Sequence, residues 1–326
     1  MKVIQWKISY IPAQVPKLLA AALSYFIIFL SSSFFFPFQT KAQEPHVSYS
    51  FSHINLQNGL ASNHVSAILQ DRKGFIWIAS TALQRYDGSN LLTVANFDKV
   101  PGSIYYDDIC LCEDRKGRIW MGAPDNIHIY DPAAGVTRAL KVDIRPSLQG
   151  NIQCSQIVED YAGVIWATTQ EGLLRFNDST GSFEKATVVP EAERREMNSA
   201  IVEDEEGRLW ISGHNGIFML DRQRKHLYSA ANNPAQLPIF SIDKSVRRFY
   251  IDYRRRIWIA ARTQGLLCYD PSTKKLQPFT IGEVFDITTD LEHNIWVALD
   301  GGNIARFDDD RQEFSVRIHG NNEDEL

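Results

Sequence analysis

Short apolar runs alternate with polar turn clusters along most of the chain, and the alternation itself repeats. The first cycle reads Val65-Ser66-Ala67-Ile68-Leu69, then Asp71-Arg72-Lys73-Gly74, then Ile76-Trp77-Ile78, then Leu83-Gln84-Arg85-Tyr86-Asp87-Gly88. The runs are too short for stable helices and rich in β-branched and aromatic residues, so they predict strands. Asp opens each turn through its side chain, and Gly supplies the positive φ that closes it. Later cycles keep the plan, with Asp114…Gly117, Asp160…Gly163 and Asp204…Gly207. Arg255 and His293 replace the glycine in the last two, where the turn must bend differently or carry strain. A further turn after the third run (Asp131-Pro132, Asp270-Pro271-Ser272-Thr273) and a variable fourth run complete a four-stranded unit.

Each second run holds a tryptophan: Trp77, Trp120, Trp166, Trp210, Trp258 and Trp296, spaced by 43, 46, 44, 48 and 38 residues. A period of this length, with four strands per unit, is the signature of a propeller blade. The expected fold is therefore all-β: a β-propeller of four-stranded antiparallel blades, occupying residues 43–326. One small sheet cannot bury both faces, but radially stacked sheets bury each other's. An indole buries about 150–250 Å², which makes these residues inter-blade plugs rather than ligand platforms. Residues 46–54 alternate like an additional N-terminal strand. Six units plus this strand fall three strands short of seven blades, and Asn321–Leu326 resembles the linker Asn232–Leu237. The expectation is an incomplete seven-bladed ring that stops at an inter-blade linker, as a fragment or truncated product would. The alternative is a six-bladed ring with a spare strand.

The first 42 residues differ from the rest. Lys2, Lys7 and Lys17 precede an apolar stretch from Leu18 to Phe38, and Thr40-Lys41-Ala42 offers a small-residue cleavage site. This reads as a secretory signal peptide over residues 1–42, directing a periplasmic location. Retention as an anchor is the alternative. After cleavage no segment is apolar enough to span a bilayer. The formal net charge is −5 and no dense basic stretch occurs, which excludes a nucleic-acid partner. Four cysteines, Cys110, Cys112, Cys154 and Cys268, show no metal-binding spacing. They read as small buried residues, although an exported protein could pair some of them.

No catalytic motif emerges. The eight histidines form no metal-ligand pair, no nucleophile elbow occurs, and the acidic runs fall on hairpin turns. No cofactor, metal or catalytic residue is assigned. Propeller ligands are expected on the face that carries the loops after the second strand and between blades. Those loops supply Asp125, Asn126, Gln170, Glu171, His214, Asn215, Arg262, Gln264 and Asp300, and the first inter-blade loop adds Tyr105 and Tyr106. Amides, a few charges and stacking tyrosines suit an oligosaccharide.

The segments Gly59-Leu60-Ala61-Ser62-Asn63, Ile68-Leu69-Gln70-Asp71 through Trp77, and Leu83-Gln84-Arg85-Tyr86-Asp87-Gly88 resemble the two-component-regulator propeller repeat. The likeness runs over about residues 47–318, weakening in the last two turns. It implies the periplasmic ligand-sensing region, or a fragment of it, of a hybrid two-component receptor. With the polar loops above, the chain is then expected to respond to a glycan-derived ligand and to work through a homodimer or downstream sensor-kinase domains. The kinase motifs of that family are absent from this sequence, and the chain is expected to lack enzymatic activity. The alternative is a secreted propeller enzyme of the lyase or lactonase type, for which His214, Glu171 and Asp300 are the available seeds.

Overall fold

The computed structural model describes residues 53–96, 109–123, 126–142, 152–242 and 245–318. The proposed signal segment 1–42, the C-terminal linker 321–326 and most of the 46–54 segment lie outside these residues. Its last two positions, 53 and 54, are not strand.

Six antiparallel four-stranded sheets follow one another in sequence order. Blade 1 comprises Ala67–Gln70, Ile76–Ala79, Ala82–Tyr86 and Leu91–Asn96. Blade 2 comprises Cys110–Glu113, Ile119–Gly122, Ile127–Asp131 and Val136–Ala139. Blade 3 comprises Cys154–Glu159, Ile165–Thr169, Gly172–Asn177 and Ser182–Lys185, and the tail of blade 2, Lys141–Val142, pairs in parallel with its outer strand. Blade 4 comprises Ile201–Glu203, Leu209–Gly213, Gly216–Leu220 and Leu227–Tyr228. Blade 5 comprises Val246–Ile251, Ile257–Ala261, Gly265–Asp270 and Lys275–Phe279, and blade 6 comprises Val284–Thr289, Ile295–Leu299, Ile304–Asp308 and Glu313–Ile318. The first strands of consecutive blades pack side by side from blade 1 to blade 6. Together with their approach residues they line one central channel of about 490 Å³.

Five hydrophobic clusters hold the blades together, each joining one blade's tryptophan to the next blade. Trp77 meets Ile119 and Tyr130. Trp120 meets Ile165 and Phe176, and Trp166 meets Ile201 and Leu220. Trp210 meets Ile257 and Tyr269, and Trp258 meets Ile295 and Phe307. Each of these tryptophan contacts that involves a ring of the next blade is tilted or edge-on, as ring quadrupoles favour: Trp120–Phe176 centroids lie 4.9 Å apart at 75° and Trp258–Phe307 4.9 Å apart at 70°. These five indoles are at most 2% exposed. Trp296, on blade 6, is partly exposed.

The turn aspartate does more than open the turn. In every blade one carboxylate oxygen accepts the indole N–H six residues on, at 2.8–2.9 Å. The other oxygen accepts the backbone N–H groups two and four residues on, as Asp114 does from Lys116 and Arg118. Three blades add an arginine on the indole-side oxygen at 2.6 Å: Arg118, Arg208 and Arg256. The carboxylate thus ties turn, plug and strand together and satisfies a donor that burial would otherwise leave costly. Arg255 and His293 make the same turn as the glycines, with φ of 65° and 66°. Of the two ways such turns could form, the chain adopts left-handed backbone strain rather than a different bend.

A second clip joins the first four blades. Glu113, Glu159 and Glu203 each accept the backbone N–H just after the turn aspartate of the preceding blade, from Arg72, Arg115 and Tyr161 at 2.9, 2.7 and 2.5 Å. Ile251 and Thr289 hold this place in blades 5 and 6. There Arg255 pairs with Glu205, and Tyr253 stacks on His293.

Candidate functional site at the channel mouth

The second strand of each blade ends beside the segment that leads into its first strand. Gln170 N–H donates to the Gln153 carbonyl, Arg262 N–H to Ser245 and Asp300 N–H to Glu283, at 3.0, 3.1 and 3.2 Å. This pairing brings two sets of loops to one end of the channel. Over blades 3, 4 and 5 they enclose a pocket of about 500 Å³, lined by Gln153, Ser155, Gln170, Asn198, Ser199, His214, Ser245 and Arg262. It shares Ser155, Ser199 and Arg262 with the channel below.

Three of the residues expected from sequence meet here: Gln170, His214 and Arg262. All three are exposed, and among the described residues nothing engages the Arg262 guanidinium or the His214 imidazole. The others stand elsewhere. Asn126 accepts the N–H of Ile127 through its own side chain. Gln264 is exposed on its turn away from the lining set, and Asp300 opens a short 3-10 turn on blade 6. Tyr105, Tyr106 and Asp125 lie outside the described residues.

Glu171, through its backbone carbonyl, and Asn215, through its side chain, meet a neighbouring element. A six-residue helix, Glu191–Glu196, lies over the loops of blades 3 and 4. Buried Arg194 donates to the Glu171 carbonyl at 2.7 Å and to Glu191 at 2.8 Å, while Asn215 donates to Glu196 at 2.9 Å. The Arg194 hydrogen bond, against the opposing effect of desolvation, holds the Glu191 carboxyl down to about 2. Gly213 lets the helix approach, since a Cβ there would strike the Glu196 carbonyl.

Sequence reasoning missed Gln153, Ser155, Asn198, Ser199 and Ser245. Two of them also bind backbone: Ser155 donates to the Asn198 carbonyl at 2.8 Å and Ser199 to Val246 at 2.7 Å. Deeper in the channel, Arg247 pairs with Glu283 at 2.6 Å and Arg248 with Asp286 at 2.7 Å. Among the described residues no group of three or more His, Cys, Asp or Glu side chains is arranged for a metal ion, and no helix is long and apolar enough to cross a membrane.

The repeat that carries the sequence likeness has a match. Residues 59–82 fit the two-component regulator propeller family model. No curated protein matches the chain. Among solved structures, the domain is similar to the extracellular domain of a B. thetaiotaomicron protein assigned to the hybrid two-component systems, BT3049. The identity is 21% and the TM-score 0.62, over 84% of this chain and 37% of that one. The chain therefore spans well under half the length of that relative. It is also similar to virginiamycin B lyase from Staphylococcus aureus, with 15% identity and TM-score 0.59 over 78% and 83% of the two chains. A streptogramin B lyase structure matches at 15% identity and TM-score 0.53, over 79% and 81%.

The domain is thus a β-propeller structurally similar to the extracellular propellers of two-component systems. The expectation that it lacks enzymatic activity is overturned. Propeller lyases share the fold about as closely as the two-component relative does, so this architecture gives no ground for excluding catalysis.

Proposed function

We propose that the chain is the ligand-sensing propeller of a hybrid two-component receptor, exported to the periplasm, and that it binds a glycan-derived ligand at the channel mouth. One observation carries this reading. Every side chain lining the 500 Å³ pocket is a neutral hydrogen-bonding group, an imidazole or a guanidinium; none is acidic or apolar. Amides and hydroxyls match the alternating donors and acceptors of a polyol, and the arginine fork adds a bidentate grip on vicinal oxygens or an acidic substituent. The volume lies within the range of small-molecule sites. Signal would pass to sensor-kinase domains or to a second protomer.

A thermal-shift screen of the chain against neutral and uronate oligosaccharides tests the reading. A ligand at a hundred times its Kd adds about 2.7 kcal/mol of stability, which raises Tm by several degrees. A set of sugars that leaves Tm unmoved contradicts the proposal.

A second reading has its own support. His214 is exposed in the pocket that Arg262 also lines, with its imidazole unengaged among the described residues. An imidazole that removes a proton next to a cation that steadies the resulting anion is the arrangement an elimination needs. Incubation with virginiamycin B, followed by chromatography, tests it. Turnover lost in His214→Ala supports a lyase, and an intact substrate counts against one.

A further inference from the structure

Cys110 and Cys154 come from the first strands of blades 2 and 3, 44 residues apart in sequence, yet their sulfurs lie 3.8 Å apart. Cys154 is fully buried, whereas Cys110 is 8% exposed and lines the central channel. The space for the pair is made by a residue that the backbone does not require. Gly122 sits opposite Cys110 in the sheet, at a place that Ala79, Thr168, Ala260 and Ala298 fill in other blades. Its φ is not positive, so its conformation is open to any residue. A Cβ on Gly122 would lie 2.7 Å from the Cys110 sulfur and 2.8 Å from that of Cys154. The missing methyl group is the seat of the two sulfurs.

From this geometry we infer that Cys110 and Cys154 form a reversible disulfide that staples blade 2 to blade 3 beneath the channel-mouth pocket. The sulfurs need only close from 3.8 Å to about 2.05 Å. The oxidant is a small-molecule disulfide that reaches Cys110 through the channel. The Cys110 thiolate attacks one sulfur of that disulfide, breaking its S–S bond and releasing one thiolate. Cys154 gives its proton to the released thiolate and attacks the Cys110 sulfur, displacing the second thiolate. The two cysteines lose two electrons and two protons, and the oxidant gains them as two thiols.

The surroundings divide the roles. The Cys154 thiol hydrogen-bonds Cys110 and, with Arg248 adding to it, lowers the Cys110 pKa against the desolvation of the site; the same hydrogen bond and burial raise that of Cys154. Burial pushes Cys112 and Cys268 up to about 12, so neither competes as a thiolate. Cys112 is also two residues from Cys110 on one strand, a geometry that resists bridging. Cys154 is flanked by Gln153 and Ser155 of the pocket, so the staple would stiffen that wall. The inference stands independently of the ligand.

The test uses the full chain, equilibrated with oxidised glutathione, trapped with N-ethylmaleimide and digested without reduction. The expected product is a peptide pair linked between Cys110 and Cys154, with fragmentation placing the bond at Cys110. Wild type should lose about 5 °C of Tm or more on reduction, in line with closing a long loop in a protein of this size. Cys154→Ala should show no such dependence. Gly122→Ala, in which the sulfurs lose their seat, should form the link at least tenfold more slowly while keeping its β-sheet circular dichroism. Glutathione left on Cys110 with Cys154 alkylated, a bond at Cys112, or a wild-type Tm insensitive to reductant would each overturn the proposal.

Discussion

Replacing Asp114 with asparagine probes the carboxylate clamp with almost no change in shape. Four donors converge on this carboxylate: the backbone N–H groups of Lys116 and Arg118 on one oxygen, and the Trp120 indole and Arg118 guanidinium on the other. Asparagine offers a single carbonyl oxygen. Either way it turns, its amide N–H groups face two donors, so a flip cannot rescue it. The indole is fully buried and Arg118 is 17% exposed on its side chain. Two charge-assisted hydrogen bonds at about 1.5–3 kcal/mol each would be lost. Water recovers part of the arginine's share, which leaves a destabilisation of about 3–4 kcal/mol. For a domain of this size that is a Tm drop of about 10 °C. Differential scanning calorimetry and urea unfolding would measure it. A double-mutant cycle with Trp120→Phe should return a coupling of about 1.5 kcal/mol or more. A destabilisation under about 1 kcal/mol, or zero coupling, would refute the clamp as a cohesive element.

Three further outcomes follow from the same structure. Gly213→Ala places a methyl group against the Glu196 carbonyl; it should detach the Glu191–Glu196 helix, seen as faster amide exchange across 191–215, and unchanged exchange would show that the helix does not need that approach. Arg255→Gly relieves a left-handed residue at φ 65° and gives up only an exposed pair with Glu205, so unfolding should show a gain of up to about 1 kcal/mol, and a loss would mean the ion pair outweighs the strain. Burial alone would raise the pKa values of Asp114 and Asp290, but the Trp120 indole and Arg118 for the first, and the Trp296 indole and Asn294 for the second, reverse the effect and hold them below the ordinary range. A depressed folded pKa contributes stability that is complete above the unfolded value of about 3.9 and is lost as pH falls through the folded one, so Tm should be level from about pH 5 to 7 and fall on acidification below about pH 4, and a rise on acidification would contradict the assignment.

The blade plan was legible because its signal is periodic. A tryptophan inside each second strand predicts six buried plugs; the clusters around Trp77, Trp120, Trp166, Trp210 and Trp258 are five of them, while Trp296 is partly exposed. The aspartate was read only as a turn residue, although its constant offset of six from the tryptophan, visible in all six units, also encodes the indole bond. The site was half legible. Residues just past the second strand, Gln170, His214 and Arg262, follow from the repeat. Their neighbours Gln153, Ser155, Asn198, Ser199 and Ser245 sit in linkers of irregular length with no period to flag them. Glu171 and Asn215, expected on the same ground, stand on the loops beside the pocket. The inserted helix Glu191–Glu196, outside the repeat, bonds the Glu171 backbone carbonyl and the Asn215 side chain, contacts that the repeat does not encode.

The channel-mouth pocket as the ligand site is the claim on which the functional reading turns. Isothermal titration of wild type and Arg262→Ala with an oligosaccharide that raises Tm addresses it directly. The account predicts that losing the guanidinium weakens Kd by at least about tenfold, the equivalent of one charge-assisted hydrogen bond, with the fold intact by circular dichroism. Equal affinities for the two proteins would place the ligand elsewhere and contradict the account.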